Sequence, residues 1–221
     1  MLRLYQEITL LALRDDKGTV SIEFLAQVLA GALAAELALK NRIALSTDKK
    51  KWVELLDARS TGDPLLDECI AKLANAKRRA RLQTWVQRFA SIKKIHHKAA
   101  QSLCDRGILR KEEGRFLLVF NRTTYPELNG EPERQIIARL EKAIFAPSKD
   151  LDSRDALLVS FAHAGQLLVP LFGRKRLKLQ RDRIKQIAEG EALGRATREV
   201  IEAIQVALIT ITVLVTAAVT S

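Results

Sequence analysis

Residues 22–40 constrain the fold more than any other stretch, because their sequence IEFLAQVLAGALAAELALK consists almost entirely of helix formers. Apolar side chains lie almost all round this predicted helix, so it must be covered on every side as a core helix. Residues 153–172 are apolar enough to form a second core helix. No low-complexity linker divides the chain, so the sequence predicts one domain over residues 1–221. The predicted fold is mainly α, a single helical domain around an apolar central bundle with short β-hairpins.

Shorter helices are predicted around this bundle. Their apolar residues recur at helical spacing in residues 4–12, 63–78, 81–91, 92–107 and 133–145. Asp63 and Pro64 indicate the start of the helix in residues 63–78, since aspartate caps helices and proline is tolerated in the first turn. Gly107 fits a left-handed cap at the end of the helix that begins at Ile92.

Two β-hairpins are predicted between the helices. Their strands are residues 41–47 paired with 49–57, and residues 108–111 paired with 115–120. The turn of the second hairpin is predicted at Glu112–Gly114. Phe116, Leu117 and Leu118 then give this protruding hairpin an apolar segment. Residues 121–135 are predicted to form a loop.

The C-terminal run from Val206 to Ser221 is apolar apart from scattered threonines. This run of about 15 residues is shorter than the roughly 20 that span a bilayer. It continues a helical pattern formed by Val200, Ile201 and Ile204. The sequence therefore favours a buried terminal helix over a membrane tail anchor.

An excess of basic residues narrows the choice of partners. The chain has 37 Lys and Arg against 26 Asp and Glu, which gives a formal net charge of +11. Such a balance favours nucleic acid, a phospholipid surface or an acidic protein. Cys69 and Cys104 lack metal-binding spacing and are predicted to be buried free thiols, as in a reducing compartment. The N-terminal residues also lack a secretory signal pattern, so a cytoplasmic location is expected.

No pattern of catalytic residues occurs in the sequence. Phosphate-binding glycine loops, nucleophile elbows and paired metal-binding histidines are absent. His96 and His97 are adjacent, so on a helix their side chains diverge and do not share a metal ion. His163 lies in an apolar helix and is predicted to be a core residue. We therefore predict a protein that is not an enzyme, with no catalytic residue, no metal and no cofactor.

A basic cluster in the helix predicted over residues 92–107 is the first candidate binding site. It comprises Lys93, Lys94, His96 and His97. Positions 93, 96 and 97 share one helix face, which favours binding of a phosphate group, although a solvated basic face has the same pattern. A second basic run could lie along an anionic surface or be solvated, and it comprises Arg174, Lys175, Arg176, Lys178, Arg181, Arg183 and Lys185.

A basic helix followed by a hairpin is typical of two kinds of protein. In a winged-helix nucleic-acid-binding protein the helix enters the major groove and the hairpin contacts phosphates. In a membrane-surface protein the cations meet lipid phosphates while apolar side chains enter the acyl boundary. The run from Phe116 to Phe120 favours the membrane interface, because a phosphate-tracking hairpin is usually polar. A scaffold that self-associates through this hairpin is a further alternative.

Four segments together resemble the Golgi phosphoprotein 3 family. They are LAGALAAELALKNRIAL, DPLLDECIAKL, SLCDRGILRKEEGRFLLVF and NRTTYP. Their order matches that family from about Leu4 to Phe145, and the later apolar helices extend the match. The compact start at LYQEITLLAL favours a prokaryotic member.

The resemblance implies a peripheral membrane protein that recognises phosphatidylinositol 4-phosphate on the cytosolic face of a membrane. It also implies protein cargo, and self-association through the hairpin that contacts the membrane. Two basic lipid-binding positions of the family fall on Lys93 and His96, and its apolar hairpin positions fall on Phe116, Leu117 and Leu118. A family arginine is replaced by Ala30. The family tryptophan is absent, with Phe24 the nearest aromatic residue.

Overall fold

A computed structural model describes residues 1–13, 22–46, 48–116, 120–146 and 151–189. In this part of the chain there are ten helices and two antiparallel pairs of strands. The helices are α1 (Leu4–Leu13), α2 (Ile22–Leu39), α3 (Pro64–Ala74), α4 (Leu82–Ala90), α5 (Ile95–Cys104), α6 (Glu131–Phe145), α7 (Ser153–Ala164), α8 (Leu168–Phe172), α9 (Arg174–Lys178) and α10 (Arg181–Ala188). The strands are β1 (Ile43–Leu45), β2 (Val53–Leu55), β3 (Glu112–Phe116) and β4 (Phe120–Thr124). The predicted fold class, mainly α with short hairpins, is confirmed.

Helix α2 is the central helix that the sequence predicts. It packs against α1, α4, α5 and α7, and nearly all of its residues from Val28 to Leu37 are buried. Gly31 allows α7 to approach closely, because a Cβ at this position would lie 2.9 Å from Cε1 of Phe161. The helix ends where Asn41 adopts a left-handed conformation with φ 53°. There the Arg42 N–H donates back to the Leu37 carbonyl at 2.9 Å, as in a Schellman cap.

The start of α3 also agrees with its sequence signal. The Asp63 carboxylate accepts hydrogen bonds from the backbone N–H groups of Leu65 and Leu66, both at 3.1 Å. Pro64 occupies the first turn, where the missing N–H costs no hydrogen bond. The same carboxylate is buried and accepts from Tyr5 Oη of α1 at 2.8 Å and from Nε of Arg3, directly before α1, at 2.6 Å. Asp63 thus joins a helix start to the N-terminal segment.

Buried ion pairs connect α1 to the other core helices. Glu36 of α2 accepts from the Leu4 N–H at 2.9 Å and from Arg154 Nη2 at 3.0 Å. Glu7 accepts from Arg139 Nη1 at 2.5 Å. Burial raises the pKa of the Glu7 carboxyl, against the opposing effect of Arg139. This network could not be predicted from the sequence, because its members are spread over four helices.

The second apolar stretch forms two helices instead of the one long helix that the sequence predicts. Residues 153–172 form α7 and α8 rather than one helix, because the chain turns at Gly165 and at Gln166, which has φ 56°. His163 is exposed on α7, so its predicted place in the core is wrong. The terminal run Val206–Ser221 lies outside the described residues, and its burial stays a prediction.

The first hairpin agrees with its prediction, and the second differs from it. In the first, Ile43 pairs with Leu55 and Leu45 pairs with Val53. In the second, Glu112 pairs with Thr124 and Phe116 pairs with Phe120. The turn predicted at residues 112–114 is therefore wrong, since these residues lie within β3, and part of the predicted loop forms β4.

Both cysteines are free thiols. Cys69 is buried in α3, and burial raises the pKa of its thiol. Cys104 is half-buried at the end of α5. The predicted cap at Gly107 follows, where φ is 68° and the Ile108 N–H donates to the Leu103 carbonyl at 3.0 Å.

Candidate functional site

The joint between α4 and α5 determines where the predicted cations lie. Helix α4 ends at Ala90, and α5 begins at Ile95 rather than at Ile92 as predicted. Lys94 has left-handed dihedral angles, φ 56° and ψ 38°, which break the helix between its buried neighbours Ile92 and Ile95. Lys93 and Lys94 consequently lie in an exposed turn, so the expected shared helix face with His96 and His97 is wrong. We call this segment the Lys93–Lys94 turn.

The two histidines of the cluster are neutral at pH 7. Burial lowers the pKa of His96, and repulsion between the two rings when both are protonated lowers it further. Burial likewise lowers the pKa of His97, together with the positive charges of Lys94 and Lys111. His97 Nδ1 lies 2.8 Å from the Tyr125 hydroxyl, and its ring lies 4.2 Å from that of His96. These side chains therefore supply hydrogen-bonding groups at neutral pH rather than cations.

The two lysines of the turn have no counter-charge. Among the described residues neither Lys93 nor Lys94 makes a side-chain hydrogen bond or ion pair, and both are exposed. The next basic residue, Lys98, differs because its Nζ lies 2.5 Å from Glu68 Oε2. The cations of this segment that remain available to an anion are therefore Lys93 and Lys94.

The second hairpin begins close to this turn. Tyr125, directly after β4, contacts His97 through the hydroxyl and through the rings, whose centroids are 5.8 Å apart. Arg110 and Lys111 pair with Glu112 and Glu113 at the hairpin base. Phe116 ends β3, whereas Leu117 and Leu118 lie outside the described residues. The described part of the hairpin thus runs from the end of α5 to the pair formed by Phe116 and Phe120.

Ala30 and Phe24, which the resemblance relates to the other lipid-binding positions of the family, contribute no charge. Ala30 is completely buried in α2, where the family places an arginine. Phe24 lies in the first turn of α2. An arginine side chain at position 30 would have to leave the core to reach an anion, so this chain uses position 30 for packing.

The second basic run is divided between α9 and α10, and part of it has structural partners. Arg176 pairs with Glu141 at 2.9 Å, and its guanidinium lies 4.4 Å from the centroid of the Phe145 ring. Arg183 Nε donates to the Ala143 carbonyl at 3.1 Å, and Lys185 lies 3.7 Å from Glu189. The contacts of Arg176 and Arg183 join α9 and α10 to α6, and the two ion pairs reduce the charge available for an anionic surface.

Sequence reasoning missed a cavity between the end of α3 and α4. Its volume is about 370 Å³, and it is lined by Lys72, Ala76, Lys77, Arg78, Trp85, Arg88 and Ser91. We call it the Trp85 cavity. The segment AKRRARLQTWVQR carried the signal, since it combines basic residues with a tryptophan. One lining residue, Ser91, precedes the Lys93–Lys94 turn by two residues in the sequence.

Metal binding and membrane crossing find no support in the described ranges. No group of three His, Cys, Asp or Glu side chains there is placed to hold a metal ion. No helix in those ranges combines the length and apolar character needed to cross a membrane.

Comparison with known proteins identifies relatives. A family model described as Golgi phosphoprotein 3 (GPP34) matches residues 4–204. The vacuolar protein sorting-associated protein 74 of Schizosaccharomyces pombe is 30% identical over 146 residues, a match that covers 57% of this chain and 43% of that protein. Less than half of the relative's length is therefore matched. The family-model match includes the Lys93–Lys94 turn, the second hairpin and the Trp85 cavity.

Proposed function

Because this chain belongs to the Golgi phosphoprotein 3 family, as its sequence resemblance indicates, we propose that it is a peripheral membrane protein that binds anionic phospholipid head groups. The family is a non-catalytic trafficking family, and we propose no enzymatic activity for this chain. The proposed contact is the Lys93–Lys94 turn, with Phe116, Leu117 and Leu118 of the hairpin entering the lipid. The protein would then act at the cytosolic face of a membrane.

The observation that carries this proposal is the pair of exposed lysines without counter-charge next to the base of the hairpin. Each basic side chain near an acidic membrane contributes about 1 kcal/mol, so the two together contribute about 2 kcal/mol. Buried Ile92 and Ile95 fix the backbone on both sides of the turn, so little ordering is needed on binding. His96 and His97 add hydrogen-bonding groups to the same segment.

Head-group selectivity is a finer part of the proposal. The family resemblance suggests phosphatidylinositol 4-phosphate, which carries a phosphomonoester in addition to its diester. Ala30 and the neutral His96 remove two charges that the family would use, so general anionic binding receives more support than selectivity. A protein cargo and self-association through the hairpin are proposed on the resemblance alone.

The nucleic-acid alternative receives less support from the geometry. A recognition helix needs an exposed face with free hydrogen-bonding groups. On α5 the exposed Lys98 is paired with Glu68, and Gln101 Nε2 donates to Asp105 at 2.9 Å. The opposite face packs on α1 and α2. This arrangement leaves α5 few groups with which to read bases.

Vesicle co-sedimentation tests the membrane proposal. The full chain is mixed with neutral vesicles, phosphatidylglycerol vesicles and vesicles containing phosphatidylinositol 4-phosphate, at near-physiological salt. Binding to both anionic vesicles is expected, and stronger binding to the last would establish selectivity. The variant Lys93→Gln/Lys94→Gly should bind at least about tenfold more weakly, from the loss of about 2 kcal/mol. Leu117→Asp/Leu118→Asp should also weaken binding.

A matched control separates the site from net charge. Lys40→Gln/Lys142→Gln removes two exposed lysines, one directly after α2 and one in α6, so it causes the same loss of charge. Equal weakening by both double variants would refute a specific role for the turn. Binding to duplex DNA with no binding to any vesicle would refute the membrane proposal and favour the alternative.

A further inference from the structure

The Trp85 cavity concentrates positive charge without any acidic residue. Four of its seven lining residues are cations, Lys72, Lys77, Arg78 and Arg88, and none is Asp or Glu. The remaining lining residues are Ala76, Trp85 and Ser91. Its volume of about 370 Å³ lies within the range of small-molecule sites. Like charges brought together round a concave surface repel each other, so an anion between them would relieve that repulsion.

None of these four cations is neutralised within the described part of the protein. Other basic residues of the described chain are paired, such as Lys98 with Glu68 and Arg42 with Asp57. By contrast, no hydrogen bond or ion pair is found for Lys72, Lys77 or Arg78. Arg88 is held by an aromatic contact instead, with its guanidinium carbon 4.5 Å from the Trp85 ring centroid. That contact orients the guanidinium and leaves its N–H donors available.

Trp85 provides a second, independent observation. The residue is 3% exposed, yet its indole Nε1–H has no hydrogen-bond partner among the described residues. The buried Nε1 atom is inaccessible, so Trp85 contributes its ring to the cavity wall rather than a hydrogen-bond donor. Arg88 lies against this ring, which places its guanidinium at the same wall of the cavity.

We propose that the Trp85 cavity binds a phosphate-bearing anion. Arg88 offers a planar pair of N–H donors to the phosphate oxygens, as arginine does in bidentate phosphate contacts. Lys72, Lys77 and Arg78 surround the same space and neutralise the charge of a phosphomonoester. The aromatic wall of Trp85 accommodates the uncharged part of the ligand. This site is separate from the Lys93–Lys94 turn, and it rests on the proposed membrane function only if the phosphate belongs to a lipid.

Tryptophan fluorescence reports on this cavity directly. The chain contains two tryptophans, so Trp52→Phe leaves Trp85 as the single tryptophan reporter. The full-length variant is titrated with inorganic phosphate, with soluble inositol monophosphate, and with vesicles containing phosphatidylinositol 4-phosphate, at constant ionic strength. A saturable change in Trp85 emission is expected with phosphate ligands. A response to soluble ligands establishes a free phosphate site, whereas a response to vesicles alone assigns the phosphate to a lipid head group.

Variants distinguish the cavity from a general charge effect. Lys77→Gln/Arg78→Gln changes two exposed residues between α3 and α4 and should weaken binding about tenfold or more, since a charge-assisted hydrogen bond is lost. The matched control Lys40→Gln/Lys142→Gln should leave the affinity within about twofold. Arg88→Gln removes the guanidinium that lies against Trp85, and calorimetric titration should show weaker phosphate binding.

The outcomes separate this proposal from the membrane proposal. If Lys93→Gln/Lys94→Gly abolishes vesicle binding while the Trp85 response to soluble phosphate persists, the cavity is supported independently. If vesicles bind normally and no phosphate ligand changes Trp85 emission or heat, the cavity proposal is overturned while the membrane proposal stands. Equal weakening by the cavity variant and by its matched control also overturns it. Thermal unfolding of each variant verifies that the fold is retained.

Discussion

Replacement of Asp63 by alanine should destabilise the fold by about 3 kcal/mol. The change removes the cap of α3, which typically contributes about 1 kcal/mol. It also removes the acceptor of the buried Tyr5 hydroxyl, which lies 2.8 Å from Asp63 Oδ2, and an unpaired buried hydroxyl costs about 1–3 kcal/mol. Arg3 loses its partner at 2.6 Å, but its side chain is partly exposed and forms hydrogen bonds to water instead. Against a total stability of about 5–15 kcal/mol, such a loss is large.

Asp63→Asn separates the cap from the ion-pair network. Asparagine caps helices as well as aspartate does, so the hydrogen bonds to the Leu65 and Leu66 N–H groups are retained. The amide nitrogen cannot accept from Tyr5 or Arg3, so about 2 kcal/mol should still be lost. Adding Tyr5→Phe to Asp63→Asn removes the unpaired hydroxyl and should recover about 1 kcal/mol.

Urea denaturation followed by far-UV circular dichroism measures these free energies of unfolding. The slope with urea should be unchanged across the variants, so that differences in midpoint report stability. A loss of about 1 kcal/mol or less for Asp63→Ala would contradict the calculation, because it would leave only the cap. Equal losses for Asp63→Ala and Asp63→Asn would instead show that the cap contributes nothing.

Three further changes test other features. Gly31→Ala should lower the free energy of unfolding, measured by urea denaturation, by about 1 kcal/mol, since overpacking against Phe161 outweighs the gain in helix propensity. A stabilised variant would contradict the close approach of α7 to α2. Lys94→Gly should raise the melting temperature, because glycine tolerates φ 56° and removes a conformational cost of up to about 1 kcal/mol. A lower melting temperature would contradict the left-handed turn. Binding to anionic vesicles should strengthen as the pH falls from about 7.5 to about 5.5, because the lowered pKa values keep His96 and His97 neutral until acid pH. The free energy of unfolding should fall over the same range, since the unfolded histidines take up protons first. His96→Gln/His97→Gln should remove the trend in vesicle binding and reduce the trend in stability, to which His163 also contributes because desolvation lowers its pKa. A pH dependence of vesicle binding that persists in this variant would refute the assignment.

The core helix and the helix ends could be predicted because their signals are local. A helix that is apolar all round requires burial, and Asp63–Pro64 and Gly107 act through their own backbone conformations. The break after Gly165 was also visible in principle, since Gly and Pro170 interrupt the apolar run. The high apolar content of residues 153–172 nevertheless favours one continuous helix, which is why the prediction was wrong.

The candidate site was harder to predict because it depends on tertiary contacts. No residue in IKKIHHK marks the break at Lys94, and the left-handed turn results from burying both Ile92 and Ile95. The hairpin turn was misplaced because Gly114 resembles a turn residue, whereas pairing of Phe116 with Phe120 extends both strands past it. The Trp85 cavity combines residues of a helix, a turn and a second helix, which periodicity along one helix does not reveal.

The buried ion pairs of the core have a consequence for how this chain can diverge during evolution. Glu36 bonds both the backbone at Leu4 and the guanidinium of Arg154, and Glu7 bonds Arg139. Loss of one partner leaves a buried charge, which is far more costly than loss of the pair. Homologous sequences should therefore exchange Glu36 and Arg154 together, through double replacements by apolar residues of matched volume. A substitution that is harmful in this chain would be neutral in a relative that already lacks the opposite charge.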